Sequence, residues 1–207
     1  MVDNVQTKRS IDTLSPAARA IAKAVRVISI PPLLIGTLLI ALYFQPIGVF
    51  SSPRSLIVSL VFLAVIPSLA YLVWALVPAW RKEGRKSQRK LAFVFSLAGY
   101  FGGVLYAILA DVSRGLAVIF FTYFVSVVVL TLINKFTKLH ASGHGCGVTG
   151  PLLLPAYFIH PLWSLPCFLM LGVVYLSSLL LKRHTLKELL AGSLVSSLSF
   201  LICVLAL

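Results

Sequence analysis

Long apolar stretches separated by short polar ones set the pattern of this chain. Behind a polar segment over residues 1–27, apolar runs occupy about 28–45, 55–80, 91–110, 114–133, 146–160, 162–181 and 188–207. Most of them reach or approach the ~20 apolar residues that cross a bilayer as a helix. The pattern therefore predicts an all-α fold, a polytopic transmembrane helical bundle of six to seven spans, in which packing between helices replaces a water-driven core. Pro31, Pro32, Pro67 and Pro166 fall inside runs, where neighbouring helices satisfy the carbonyls that proline frees. The run at 146–160 is short, and His160–Pro161 reads as a tight turn. Leu14–Val27 reads as a helix, with Ser15 and Pro16 as its start signal and Arg19, Lys23 and Arg26 along one side. It is expected to lie as an amphipathic helix on the membrane surface. Residues 1–27 then form a cytoplasmic N-terminal segment, kept in the mature chain because no small-residue cleavage site follows a signal-peptide core. Residues 28–207 form one transmembrane domain.

Composition agrees with that pattern. Of 207 residues 59% are hydrophobic and 11% charged, against roughly 25% charged in a soluble domain. The net charge of +13 would suggest nucleic acid on a soluble protein. Here the aromatic residues are scattered through the spans instead of interleaving with basic ones, so the expected partner is the bilayer and no nucleic acid. With seven spans, sixteen of the 18 Lys and Arg residues fall on one side, leaving only Arg54 and Arg114 on the other. The positive-inside rule puts the richer side, with the N-terminus and the loops at 81–90, 134–145 and 182–187, in the cytoplasm. Cys146, Cys167 and Cys203 form no Cys-x-x-Cys and imply no disulfide framework.

Those three loops hold the polar chemistry. Arg81–Lys90 reads either as a basic topology loop or as a phosphate clamp, with Lys as a point charge and Arg as a bidentate fork. Leu139–Pro151 sets His140, Ser142 and His144 among glycines at the start of an apolar run. A helix N-terminus with free backbone N–H groups is a ready anion site; the plainer reading is a glycine linker. The His140-x-x-x-His144-x-Cys146 spacing also suits a metal, but no fourth ligand is near and His-Glu-x-x-His is absent. In the third cluster His184 and Glu188 stand four apart on one helix face. There a carboxylate can fix the imidazole tautomer and raise its basicity, unless the pair is simply an interfacial ion pair at a helix end.

Taken together, the clusters resemble the type 2 phosphatidic acid phosphatase superfamily, itself related to vanadium haloperoxidases. Its first element, Lys, six residues, Arg-Pro, is matched by Lys82 and Arg89, with Lys90 in place of proline. Its Pro-Ser-Gly-His is matched by Ser142, Gly143 and His144, with Ala141 in place of proline. Its Ser-Arg, five residues, His, three residues, Asp is matched by Ser177, His184 and Glu188, followed by Ala191 and Gly192. The arginine of that element falls at Ser178; Lys182, Arg183 and Arg85 are the nearest cations that could replace it. The resemblance covers about residues 55–207.

It implies a metal- and cofactor-free phosphohydrolase acting on a phosphorylated lipid such as a polyprenyl mono- or diphosphate or phosphatidate. His184 would be the nucleophile, forming a phosphohistidine, with Glu188 orienting it and His144 as general acid. Lys82, Arg89, Ser142 and the Gly143 N–H would hold the phosphoryl oxygens. Ser178 leaves open a weak or inactive lipid-binding homologue. A lipid transporter is disfavoured, because the runs carry almost no ionisable residue near their middles.

Overall fold

The computed structural model describes residues 15–207. They form an all-α bundle of nine α-helices, with no strand among the described residues. The order is α1 (Pro16–Ile28), α2 (Pro31–Tyr43), α3 (Pro53–Leu76), α4 (Pro78–Lys82), α5 (Arg85–Leu109), α6 (Arg114–Phe136), α7 (Gly143–Phe158), α8 (Ser164–Leu180) and α9 (Leu186–Ala206). A single 3₁₀ turn, Pro161–Trp163, leads into α8.

Five helical stretches are long and apolar enough to cross a membrane: α3, α5, α6, α8 with its leading turn, and α9. The bent pair α1–α2, turned by 57°, makes a sixth if it is counted as one span. α7 has only 16 residues, below the ~20 of a full crossing. The chain is thus a multi-pass membrane protein with five to six such spans. Large apolar side chains lie exposed along these helices, among them Leu165, Phe168, Leu198 and Leu205, as expected of faces turned to lipid.

α6 is the central element, with Leu116, Val118, Ile119, Phe120, Tyr123 and Val127 buried along it. α5 receives it at Gly103, where a Cβ would run into the Phe120 ring. α3 departs from α-helical geometry over Val61–Val65, a π-helical turn directly ahead of Ile66–Pro67. A proline removes one N–H from the ladder, and a π-turn is a usual accommodation of such a break. α5 packs closely there, since a Cβ on Gly99 would stand 2.5 Å from the Phe62 carbonyl.

The tightest helix pair is α7 against α9. A Cβ on Gly145 would meet the Leu189 carbonyl at 2.8 Å, and one on Gly192 would overlap the Ser142 carbonyl. Small residues at such a crossing let backbones approach, the usual means of helix association in membranes. The chain reverses between α8 and α9: α8 closes with Lys182 at φ 51°, while Lys182 N donates to Leu179 O and Arg183 N to Ser178 O, both at 2.9 Å. This Schellman closure returns the chain so that residues 183 and 184 lie beside the start of α7. At the far end of the bundle, Arg114 Nη2 donates to Val204 O at 2.9 Å, where α9 presents the negative end of its dipole.

Residues 15–28 turn only part of their basic side outward. Ala22 and Ser29 are buried and Arg19 and Arg26 half-buried, while Ile21, Val27 and Ile28 are exposed. α1 therefore turns Arg19 and Arg26 toward the bundle, where it packs on α8, and its apolar side outward. Of the expected basic stripe, Arg19 and Arg26 thus face the bundle and Lys23 is exposed; residues 1–14 lie outside the described part.

Candidate functional site

A cavity of about 300 Å³ opens among α1 and its hinge, α3, α5, α6, the start of α7 and the α8–α9 turn. α1 and its hinge contribute Arg26, Ile30 and Pro31, α5 contributes Arg85, Gln88 and Arg89, the start of α7 contributes Gly143 and His144, and the α8–α9 turn contributes Arg183 and His184. Farther in, it is bordered by Tyr100, Thr122, Tyr123, Ser126 and Ser196. The three polar loops of the sequence thus meet at one place, joined by α1.

Local chemistry explains each part. α9 begins with a capping box, in which Thr185 Oγ1 accepts Glu188 N–H at 3.3 Å and Glu188 Oε2 accepts Thr185 N–H at 3.0 Å. The same Glu188 Oε2 stands 3.2 Å from His184 Nδ1. A carboxylate can only accept, so Nδ1 carries the proton and Nε2 is left with its lone pair. The His184 side chain is 11% exposed and that of Glu188 28%, so the pair is held away from bulk water without being sealed. Burial pushes the His184 imidazole below its ordinary value; the Glu188 hydrogen bond opposes this, and Arg26 and Arg89 reinforce it. His184 is therefore neutral near pH 7, the form in which an imidazole is a nucleophile.

α7 begins at Ser142, whose Oγ accepts Gly145 N–H at 3.1 Å, as an N-cap does. Ser142 N–H donates to Glu188 O at 2.8 Å, which ties the start of α7 to the first turn of α9. The Gly143 and His144 amides, first in the helix, have no helical acceptor, and both residues border the cavity. His144 Nε2 lies 3.4 Å from Ser29 Oγ, at the α1–α2 hinge. The hinge sits this close because Gly147 has no side chain; a Cβ there would stand 2.5 Å from Pro31 Cγ.

Of the residues singled out from the sequence, His144, His184, Arg89 and Gly143 border the cavity. Glu188 stands behind His184, and Ser142 is buried with its hydroxyl engaged in capping. Lys82 ends the short helix α4, is exposed, and does not border the cavity. α5 starts only after Gly84, at φ 65°, so the helical repeat that carries Arg89 carries Arg85 one turn earlier, not Lys82. His140 is exposed and also outside the cavity. No group of three or more metal-ligating side chains occurs among the described residues.

The residue the sequence reading missed is Arg26. Its Nη1 donates to Ser178 Oγ at 2.8 Å across 152 positions of sequence. Its only signal was membership of the basic stripe of Leu14–Val27, which serves a surface helix equally well. With Arg85, Arg89 and Arg183 it makes four guanidinium groups around the two histidines. No carboxylate pairs with any of the four among the described residues; the one ion pair there is His184–Glu188. Uncompensated cations gathered at a concave site are arranged for an anion. Compared with models of protein families, with curated proteins and with solved structures, the chain matches none.

Proposed function

We propose that this protein is a membrane-embedded, metal-independent phosphohydrolase that removes phosphate from a lipid phosphate or polyprenyl diphosphate through a phosphohistidine. One observation carries the reading: an imidazole hydrogen-bonded to a carboxylate borders a cavity shared with a second histidine and four arginines that no carboxylate among the described residues pairs. The motif resemblance over Lys82–Arg89, Ser142–His144 and Ser177–Glu188 points the same way.

In this mechanism the His184 Nε2 lone pair forms a bond to phosphorus as the bond from phosphorus to the lipid oxygen breaks. Glu188 holds the Nδ1 proton and stabilises the cation that develops on the ring. Burial, with Arg26 and His184 nearby, holds the His144 pKa down to about 3 before phosphate enters; in this mechanism the incoming phosphate brings the proton, and His144 passes it to the leaving oxygen. Water then attacks the phosphohistidine, His144 takes up the proton, and inorganic phosphate leaves with His184 restored. Arg85, Arg89 and the Gly143 amide bind the non-bridging oxygens, where transition-state charge builds up in a partly dehydrated site. The bilayer holds the lipid tail. The basic loops at the cavity end of the bundle support a cytoplasmic site through the positive-inside rule. That favours lipids made on that leaflet, such as isoprenoid diphosphates.

The test is phosphate release by purified protein in detergent with EDTA present. Farnesyl diphosphate, geranylgeranyl diphosphate, undecaprenyl diphosphate and phosphatidate are offered in parallel, with His184→Ala as control. Release that resists EDTA and vanishes in the control supports the reading. Ser178, in place of the motif arginine, favours a second reading, a lipid-binding homologue without hydrolysis; folded protein that releases nothing from any lipid would select it.

A further inference from the structure

Arg26 is the one cation of the cavity that reaches it from outside the three polar loops. Of its five N–H donors, one is committed to Ser178 Oγ; the others have no hydrogen-bond or carboxylate partner among the described residues. The group is half-buried, on the bundle-facing side of α1. Half-buried and with no carboxylate partner among the described residues, this guanidinium is open to a ligand that supplies the negative charge. A second contact puts α1 at the site: Ser29, three residues on and buried, faces His144. Gly147 is what admits the hinge to that position. Ser178 itself is fully buried, and its hydroxyl serves as a fixed rest for the guanidinium.

We propose that Arg26 is a phosphate-binding residue of this cavity, delivered by the N-terminal helix and seated on Ser178, so that the guanidinium missing from position 178 is supplied from position 26. The ligand class is a tetrahedral oxyanion, either a lipid phosphate headgroup or free phosphate. The inference rests on the phosphohydrolase reading for its role in turnover, but not for its role in binding.

The decisive experiment measures binding of orthovanadate, inorganic phosphate and short-chain dioctanoyl phosphatidate to the folded full-length protein in detergent by calorimetry. The proteins are wild type, Arg26→Ala, Lys23→Ala and the relocated double variant Arg26→Ala/Ser178→Arg. Lys23 lies exposed on the same helix and controls for charge on α1. Arg26→Ala is expected to weaken anion binding at least tenfold, as loss of a charge-assisted contact does, with Lys23→Ala unchanged. The double variant is expected to regain at least half of the lost affinity on a logarithmic scale, because its guanidinium starts from Ser178 and reaches the space Arg26 vacates. A role limited to fastening α1 onto α8 would not be rescued, since the double variant lacks that bond. Binding within threefold of wild type in Arg26→Ala, loss without recovery in the double variant, or no anion binding by wild type each overturns the proposal. The ligand arms separate the sources: a preference for phosphatidate over inorganic phosphate marks a lipid headgroup. Lipid hydrolysis is read separately. Anion binding that depends on Arg26 without any turnover refutes the phosphohydrolase reading alone, while turnover indifferent to Arg26→Ala refutes this inference alone.

Discussion

Replacing Glu188 by Gln separates catalysis from folding at this site. Glu188 does two things with one oxygen: it accepts from the Thr185 amide at 3.0 Å and from His184 Nδ1 at 3.2 Å. Glutamine keeps the shape and a carbonyl oxygen for the amide, so the capping box survives in part and stability should change by less than about 1 kcal/mol. The carboxylate's hold on the imidazolium that forms in the transition state is lost. A hydrogen bond to a charged group contributes about 1.5–3 kcal/mol. The Glu188 side chain is 28% exposed, so solvent screening puts the value at the lower end. At about 1.4 kcal/mol per decade, kcat should fall about 10- to 30-fold. Glu188→Ala removes the cap as well and should lose about 1 kcal/mol of stability besides. The assay is single-turnover phosphate release beside thermal unfolding of the same preparations. A Gln variant within twofold of wild type, or activity that merely follows the folded fraction in both variants, would refute the assigned role of the carboxylate.

Other predictions follow from the same geometry. His184 must be neutral to attack, and burial with Arg26 and Arg89 lowers its pKa. The acid limb of kcat/KM should therefore lie below the ordinary imidazole value of about 6.5, with activity lost as pH falls through the lowered value. Arg89→Gln removes one opposing charge and should move that limb upward in the pH profile. By the same linkage, His184 lets the unfolded chain bind the proton first, so its contribution to stability is full above about pH 6.5 and is lost on acidification, as melting temperature against pH would show. Gly192→Ala drives a methyl group into the Ser142 carbonyl. It should destabilise by about 1–3 kcal/mol and reduce turnover more than the unfolded fraction explains, because α7 carries His144. Arg85→Ala and Arg89→Ala should each raise KM or lower kcat/KM about tenfold, and each more than Lys82→Ala, in steady-state kinetics on one substrate.

The apolar runs determined by themselves that this chain is a multi-pass helical protein, because the length of apolar sequence needed to cross hydrocarbon is a local property. The 16-residue α7 corresponds to a run already short in the sequence, and Ser29–Ile30 marks the bend between α1, within the polar segment, and α2, the first apolar run. The His184–Glu188 pair was legible for the same local reason, since a four-residue separation on one helix brings the groups together whatever the rest of the chain does. Ser142 was recognisable as a polar residue at a helix start, but only the fold assigns its hydroxyl to capping. The choice of Arg85 beside Arg89, with Lys82 outside, depends on where Gly84 ends one helix and lets the next begin, and basic composition says nothing of that. Arg26 lay beyond any local reading. Its partner is 152 residues away, and which face of α1 turns inward is decided by packing on α8 and by the room Gly147 leaves for Pro31. An amphipathic pattern fixes that a helix has two faces; only its neighbours decide which face they receive.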